Sequence, residues 1–349
     1  MGMLGNVLEK GHHRHIFGTE DLMMTNAGSR LAPESHDSGL HEDDAHYVLV
    51  SPERLCLYRP EYYESTLEFF NDLDILVFAS HRKVVLDFSK LKELTAAASL
   101  MLFAKITRCQ CCTLHANRGD VIRCVMPEDK SVRGVFRRGG LWAAIKPGGE
   151  SKLDRLWDDW SNPYKTGNAP SEQMADIIRQ LLQQVGGRLP RKIVSALQES
   201  YLNIAHHAYE RFKDEEIPLH RFMVGRWWQF VKWQPDSNEL SVVIYDMGVG
   251  IPDSLRSIAL GGSTSPVSDC RSIALAMKAG VTRFNVQGRG RGFNDIRSPI
   301  DLNVGADYLL VFSGQGLVVY KKGEVLEEQL HDSSIGGTLI EWTFSGIGK

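Results

Sequence analysis

From residue 47 onward, apolar positions alternate between short strand-like runs and longer stretches of helical period. Tyr47 to Ser51 reads as a strand, Pro60 to Phe78 as a helix, Lys83 to Phe88 (KVVLDF) as a buried strand, and Thr95 to Thr107 as an Ala/Leu-rich helix that Thr95 caps. Val121 to Met126 is strand-like until Pro127 breaks it, and Ser131 to Arg138 reads as a helix stopped by Gly139-Gly140. Strands taking turns with helices predict an α/β layer.

Ahead of this pattern, residues 1–45 mix Gly, His, Ser, Asp and Glu with scattered apolar positions and no sustained period, so a mobile leader is expected. Behind it, residues 147–170 carry Pro147-Gly148-Gly149, Asn162-Pro163 and Pro170 among charged residues. Turn formers at this density predict a linker, with Trp157 and Trp160 docking it on a neighbouring surface. Ser171 to Val185 then reads as a helix ending at Gly186-Gly187, and Pro190 opens a longer helix to about Lys213. Trp227 to Trp233 and Leu240 to Tyr245 are strand-like runs joined by a QPDSN turn, with alternate residues of the first run facing a core. The chain therefore divides into a leader (1–45), an α/β domain (46–146), a linker (147–170) and an α+β domain (171–349).

Composition narrows the function classes. With 349 residues, 43% hydrophobic and 24% charged, two globular domains are expected rather than one core or a disordered chain. Forty Lys and Arg against 43 Asp and Glu give a formal charge of -3, so the whole chain lacks the basic excess of a protein held by nucleic-acid phosphates. The longest uncharged apolar run, Leu94 to Ala104, is about half what a bilayer crossing takes, and the N-terminus has no apolar signal core. A cytoplasmic protein is expected. Six cysteines, three of them bunched at Cys109, Cys111 and Cys112, do not form the framework of a small secreted domain and should be reduced thiols. CQCCTLH reads as cysteines packed at a helix end rather than a zinc site, because adjacent cysteines do not readily face one tetrahedral ion.

In order and spacing, Tyr47 to Lys146 resembles a STAS domain, the small fold of anti-sigma-factor antagonists and transporter tails. The likeness is carried by Leu86-Asp87-Phe88-Ser89 leading into LTAAASLMLFA, and by VMPEDKSVRGVFRRGGL. In phosphorylatable STAS domains the loop opening that helix carries an acidic residue followed by serine. Here those positions are Thr95 and Ala96, so the usual acceptor hydroxyl is missing.

The candidate chemistry lies beyond the linker. ESYLNIAHHA places Glu199, Asn203 and His207 four residues apart, and each step overshoots a full helical turn by about 40°, so the three form one slanting polar stripe. The run Leu240 to Tyr245 leads into Asp246-Met247-Gly248-Val249-Gly250. A carboxylate at the end of a buried strand, followed by glycines that admit close approach, suits an amino group on a flat base. Gly288-Arg289-Gly290-Arg291-Gly292-Phe293 precedes a predicted helix, offering backbone N–H groups, a helix N-terminus and arginine forks to phosphate oxygens. The strand and acid of a Rossmann fingerprint are missing, and the sequence contains no P-loop.

Together these pieces resemble the GHKL ATPase superfamily, which includes sensor histidine kinases, anti-sigma-factor serine kinases, gyrase-type topoisomerases, mismatch-repair proteins and heat-shock chaperones. The likeness spans Pro190 to Phe344 and rests on the E-x3-N-x3-H-A helix, the DxGxG box, the GxGxG lid, and a final strand beginning Gly337-Thr338 in GGTLIEW. It implies a Bergerat-type α/β sandwich, a mixed sheet covered by helices on one face, that binds ATP and Mg2+. By the same likeness Asn203 would ligate Mg2+, Asp246 would accept the adenine amino group, and Gly248 and Gly250 would shape the adenine pocket. Gly288, Gly290 and Gly292 would cover the phosphates, Thr338 would support adenine, Glu199 would polarise the attacking water or hydroxyl, and His207 would stand near phosphate. Arg289 and Arg291 become candidate phosphate contacts, with Arg283 and Arg297 on either side.

Two departures shape the expectation. No phosphoacceptor-histidine helix precedes the ATPase part, and about five residues follow Phe344, too few for the transducer domain that lends gyrase-type members a catalytic lysine. Two functions are compatible with this. One is ATP hydrolysis or γ-phosphate transfer with Glu199 as general base, coupled to a STAS-like regulatory module. The other is a non-catalytic, ATP-gated interaction switch. The expected partners are an adenine nucleotide and a protein partner or substrate, a homo-oligomer being compatible with both; neither membrane nor nucleic acid is indicated.

Overall fold

The apolar runs of the first half become β1 (Tyr47–Val50), β2 (Arg54–Leu55), α1 (Pro60–Asp74), β3 (Val84–Asp87), β4 (Glu93–Leu94), α2 (Ala96–Cys112), β5 (Ile122–Val125), α3 (Lys130–Arg137) and α4 (Leu141–Ile145). This is seen in a computed structural model, which describes residues 46–115, 118–187, 189–209, 220–259, 267–278 and 292–346. The expected leader (1–45) and the lid residues Gly288, Arg289, Gly290 and Arg291, with Arg283, lie outside the described residues. Strands β1, β3 and β5 pair in parallel in that order, and because a parallel step needs a long crossover, α1 and α2 supply it. Pro60 occupies the first turn of α1, where its missing N–H has no helical partner to lose. The Asp129 carboxylate caps α3 by accepting the Val132 N–H at 2.9 Å. Thr95 stands at the N-cap position of α2, but its side chain makes no cap bond there; the hydroxyl donates to the Leu55 carbonyl instead.

The segment expected as a linker is structured. It forms α5 (Gly149–Asp158) and β6 (Tyr164–Gly167), and the buried Lys165 ammonium closes the end of α5 by donating to the carbonyls of Leu156, Trp157 and Asp159. Trp157 packs edge-on against Trp227 with ring centroids 6.1 Å apart, so the tryptophan does dock the segment. What it docks is the edge of a sheet that β6 completes. Beyond it come α6 (Pro170–Val185), α7 (Ile193–Asn203), β7 (Trp227–Gln234), β8 (Glu239–Asp246), α8 (Gly250–Ala259), α9 (Asp269–Met277), α10 (Gly292–Leu302), β9 (Ala306–Ser313), β10 (Gly316–Lys321), β11 (Glu324–Leu330) and β12 (Thr338–Ser345). Strands β6 to β12 form one sheet in the order β11-β10-β9-β12-β8-β7-β6, antiparallel at every pairing. The expected α+β class holds, but the mixed sheet expected for the C-terminal part is antiparallel throughout, and parallel pairing is confined to β1-β3-β5 and to the short β2–β4 pair.

Both faces of the large sheet are covered. Leu240, Val242 and Ile244 of β8, with Leu309, Val311, Ile340 and Trp342, point to one side and pack with α6, α7, α9 and α10. Their neighbours Val243 and Tyr245, with Trp228, Phe230, Leu310, Phe312 and Leu339, point to the other side and join the core of the N-terminal unit. That is why WWQFVKW and SVVIY read as unbroken apolar runs: alternation appears only when one face meets water. Helix α2 lies in this seam, its small residues Ala96 to Ala98 all buried, and Tyr164 of β6 donates to the Ser99 hydroxyl at 2.9 Å. Cys109 and Cys111 are buried at the far end of α2, and no disulfide links any of the six cysteines. No described helix is long and apolar enough to cross a membrane.

The seam encloses the carboxyl group of Glu341. The Tyr58 hydroxyl accepts the Ala97 N–H at the start of α2 and donates at 2.6 Å to Glu341 of β12, which also accepts from Ser241 at 3.3 Å. Burial pushes the Glu341 carboxyl up to about 7, against the opposing pull of Tyr58 and Ser241. With the folded value above the unfolded one, its favourable contribution is complete below about pH 4 and is lost as pH rises through about 7. Glu341→Gln should therefore remove about 3 kcal/mol of stability loss between pH 4 and 8. Urea unfolding across that range checks it, and parallel profiles for wild type and variant would refute it.

Candidate functional site

Helix α7 turns Ile193, Ala196, Leu197 and Tyr201 into the core, where Tyr201 packs against Trp227 with centroids 4.7 Å apart. The opposite side carries Glu199 and Asn203. The expected helix to Lys213 does not run on: α-helical bonding ends at Asn203 and the chain widens into a π turn over Ile204–Ala208, while residues 210–219 lie outside those described. The wider pitch takes His207 off the slanting stripe that four-residue spacing predicts, and its side chain is exposed, though close enough for its charge to act on Glu199. Glu199 is half-buried. Burial raises its carboxyl above the ordinary range, and the Asp295 carboxylate in the first turn of α10 adds to this; an Asn203 side-chain hydrogen bond and the nearby His207 and His206 oppose the shift.

The π turn brings the second motif into place. The Ala208 carbonyl accepts the Val249 N–H at 2.8 Å, and Gly248 lies so close to Ala208 that a Cβ would collide with it. Tyr209, next in the chain, accepts the Met247 N–H at 3.1 Å and donates to the Arg226 carbonyl at 2.7 Å. The end of α7 and the Asp-Met-Gly turn are thus one bonded unit. Asp246 ends β8 with 5% of its surface exposed; its carboxylate accepts the Gly248 N–H at 2.8 Å and the Thr338 N–H. Burial pushes that carboxyl up to about 7 in spite of both donors. Gly250 has φ +82° where α8 begins, a conformation that favours glycine.

Thr338 faces Asp246 across the β12–β8 pairing. Its hydroxyl lies 2.9 Å from that of Ser313, which donates to the Gly337 carbonyl at 3.1 Å and accepts the Ile251 N–H at 2.8 Å. Ser313 therefore ties the final strand to the start of α8. Gly292, which opens α10, is the one position of the expected lid among the described residues. Arg297 is directed elsewhere: it donates to Asn294 at 2.6 Å and lies 5.4 Å from the centroid of the Tyr320 ring.

The structure thus brings Asp246, Gly248, Gly250 and Thr338 together, and joins this group through Ala208 and Tyr209 to the helix that carries Glu199 and Asn203. The sequence reading misses Asp295, Tyr209 and Ser313. Asp295 carries a local signal, an acid in the first turn of a helix after a glycine loop; the other two act only through tertiary contacts. Chemically, the arrangement pairs a buried acceptor, Asp246, with a carboxylate of raised basicity, Glu199, on adjoining elements. The sequence matches no known protein-family model, and a comparison with curated proteins finds no significant relative.

Proposed function

We propose that this protein binds ATP with Mg2+ in the manner of GHKL ATPases and hydrolyses it or transfers its γ-phosphate, with Glu199 as general base and the N-terminal STAS-like unit as its regulatory half. The observation that supports this reading is the bonding of α7 to the Asp246 turn through Ala208 and Tyr209, which connects the elements carrying Asp246 and Glu199. Asp246 would accept the adenine amino group, Gly248 and Gly250 would let the base approach, and Thr338 would support it.

The donor set suits the cation. In the Asn203–Glu199 hydrogen bond the amide N–H donates to the carboxylate, which leaves the Asn203 Oδ1 for a hard cation. Mg2+ typically keeps waters and phosphate oxygens as its other ligands, so it needs no cage of three acidic or imidazole groups, and none occurs among the described residues. When bound, Mg2+ would neutralise charge on the phosphates. Glu199, its basicity raised by burial and by Asp295, would take the proton from the attacking water or hydroxyl.

Glu199→Gln should bind ATP with little change while γ-phosphate release or transfer falls by about 10²- to 10⁴-fold. Nucleotide calorimetry and γ-phosphate assays, with and without cell extract, check both halves; an unchanged rate would remove Glu199 from its role. One observation favours the non-catalytic switch. Thr95, at the STAS-like acceptor loop, is fully buried, so that loop does not present an acceptor hydroxyl to an ATP site. Tight ATP binding by wild type with no phosphate released or transferred would decide for the switch.

A further inference from the structure

Besides the seam, the N-terminal unit meets the candidate nucleotide site at a loop. Residues 331–337 connect β11 to Thr338, and α1 grips their upstream half. The Glu64 carboxylate accepts the N–H groups of Asp332 at 3.0 Å and Ser333 at 3.4 Å. Tyr63, itself buried, stacks on His331 with ring centroids 3.7 Å apart and donates its hydroxyl to the Ser333 carbonyl at 3.3 Å. Burial alone would raise the Glu64 carboxyl, but the Ser333 hydroxyl and the two N–H groups outweigh it and hold it below the ordinary glutamate range.

The rest of the loop is fixed by the sheet. The Tyr245 hydroxyl points to the carbonyls of Ile335 at 2.8 Å and Gly336 at 3.0 Å, and the Ile335 N–H donates to the Gly314 carbonyl at 3.0 Å. At the downstream end Gly337 lies against the Asp246 backbone, where a Cβ would collide with the Asp246 carbonyl, and its own carbonyl accepts from Ser313. A backbone held at successive residues transmits a displacement instead of absorbing it. Recognition of a base by one carboxylate is sensitive to shifts of a fraction of an ångström.

We propose that Glu64 and Tyr63 are positioning residues for the base end of the nucleotide site, and that by holding the 331–337 loop the N-terminal unit sets where Thr338 and Asp246 stand. The proposal rests on the adenine reading of Asp246. Neither residue is placed at the nucleotide; both act through the loop.

The test uses the full chain as wild type, Glu64→Ala and Glu64→Gln, with two readouts. The first is calorimetric affinity for ATP and for inosine triphosphate, which has a carbonyl where adenine has its amino group. Wild type should prefer ATP, Glu64→Ala should reduce that preference by about tenfold, and Glu64→Gln, whose remaining oxygen can accept the same N–H groups, should restore most of it. The second is amide hydrogen exchange without nucleotide, where Glu64→Ala should lose protection at residues 331–338 and also at Asp246 to Gly248. A Glu64→Ala protein with a lowered unfolding midpoint but an unchanged preference for ATP overturns the proposal, as does exchange confined to residues 331–333. If wild type itself does not prefer ATP, the adenine reading fails, and the spread of exchange to Asp246 still decides whether the clamp reaches the site.

Discussion

On the adenine reading of Asp246, replacing it with Asn is expected to weaken adenine-nucleotide binding roughly a hundredfold while making the protein more stable above neutral pH. Asparagine keeps one oxygen for the Gly248 and Thr338 N–H groups that the carboxylate now accepts, so the turn should survive. Its amide nitrogen, however, puts a donor where the adenine amino group needs an acceptor. Losing a charge-assisted bond at a buried position costs about 3 kcal/mol, roughly a hundredfold in affinity. The stability effect has the opposite sign. Burial pushes the wild-type carboxyl up to about 7, so its favourable contribution is complete below about pH 4 and is lost as pH rises through about 7. The variant should be spared up to about 4 kcal/mol of that loss. Wild-type affinity should itself strengthen between pH 6 and 8, because only the ionised carboxylate lacks a proton at the accepting oxygens. Calorimetry and urea unfolding over that range test all three statements, and an Asn variant that binds ATP as tightly as wild type would end the adenine reading.

Cutting the chain at residue 171, where the sequence alone suggests a clean domain start, should yield an insoluble or molten fragment. The cut removes β6 from the sheet edge and strips the N-terminal unit from the opposite face. It would bare Trp228, Phe230, Val243, Tyr245, Leu310, Phe312 and Leu339, all buried in the full chain. At about 1.5–3 kcal/mol for each large side chain, the loss exceeds 10 kcal/mol, the scale of a whole domain's stability. Near-ultraviolet circular dichroism and dye binding of the 171–349 fragment, beside the full chain, provide the check. A fragment with a cooperative unfolding transition and native near-ultraviolet signal would show that the shared core is dispensable.

That misplaced boundary shows where sequence is legible. The first α/β layer can be read because Pro60, Pro127 and Gly139-Gly140 punctuate strong apolar periods. Strand β6 cannot: YKTG is four residues between prolines, and its lysine looks solvent-bound until the three carbonyls that receive its ammonium are seen. Strands β9 and β10 carry no motif, and ADYLLVFS or GLVVYK is as apolar as a buried helical segment, so only pairing decides their state. Within the site, Glu199, Asn203, Asp246, Gly248, Gly250 and Thr338 are visible because each belongs to a spaced motif. Ser313 and Tyr209 act through neighbours far away in sequence, and local pattern does not encode that proximity. The π turn after Asn203 is hidden for a related reason, since the partners of Ala208, Gly248 and Val249, lie far away in sequence.

That turn also sets a phase. Ile204–Ala208 carries the chain from the last α-helical residue, Asn203, to the carbonyl that meets Val249. Five residues at this wider pitch turn the chain about as far as four at ordinary α pitch, so the turn takes in one extra residue and hands the chain on in the phase of an unbroken helix. Ala205, His206 and His207 are exposed on this turn, so the widening costs the core nothing: the helix stores a residue on its solvent side and still delivers the Ala208 carbonyl to Val249.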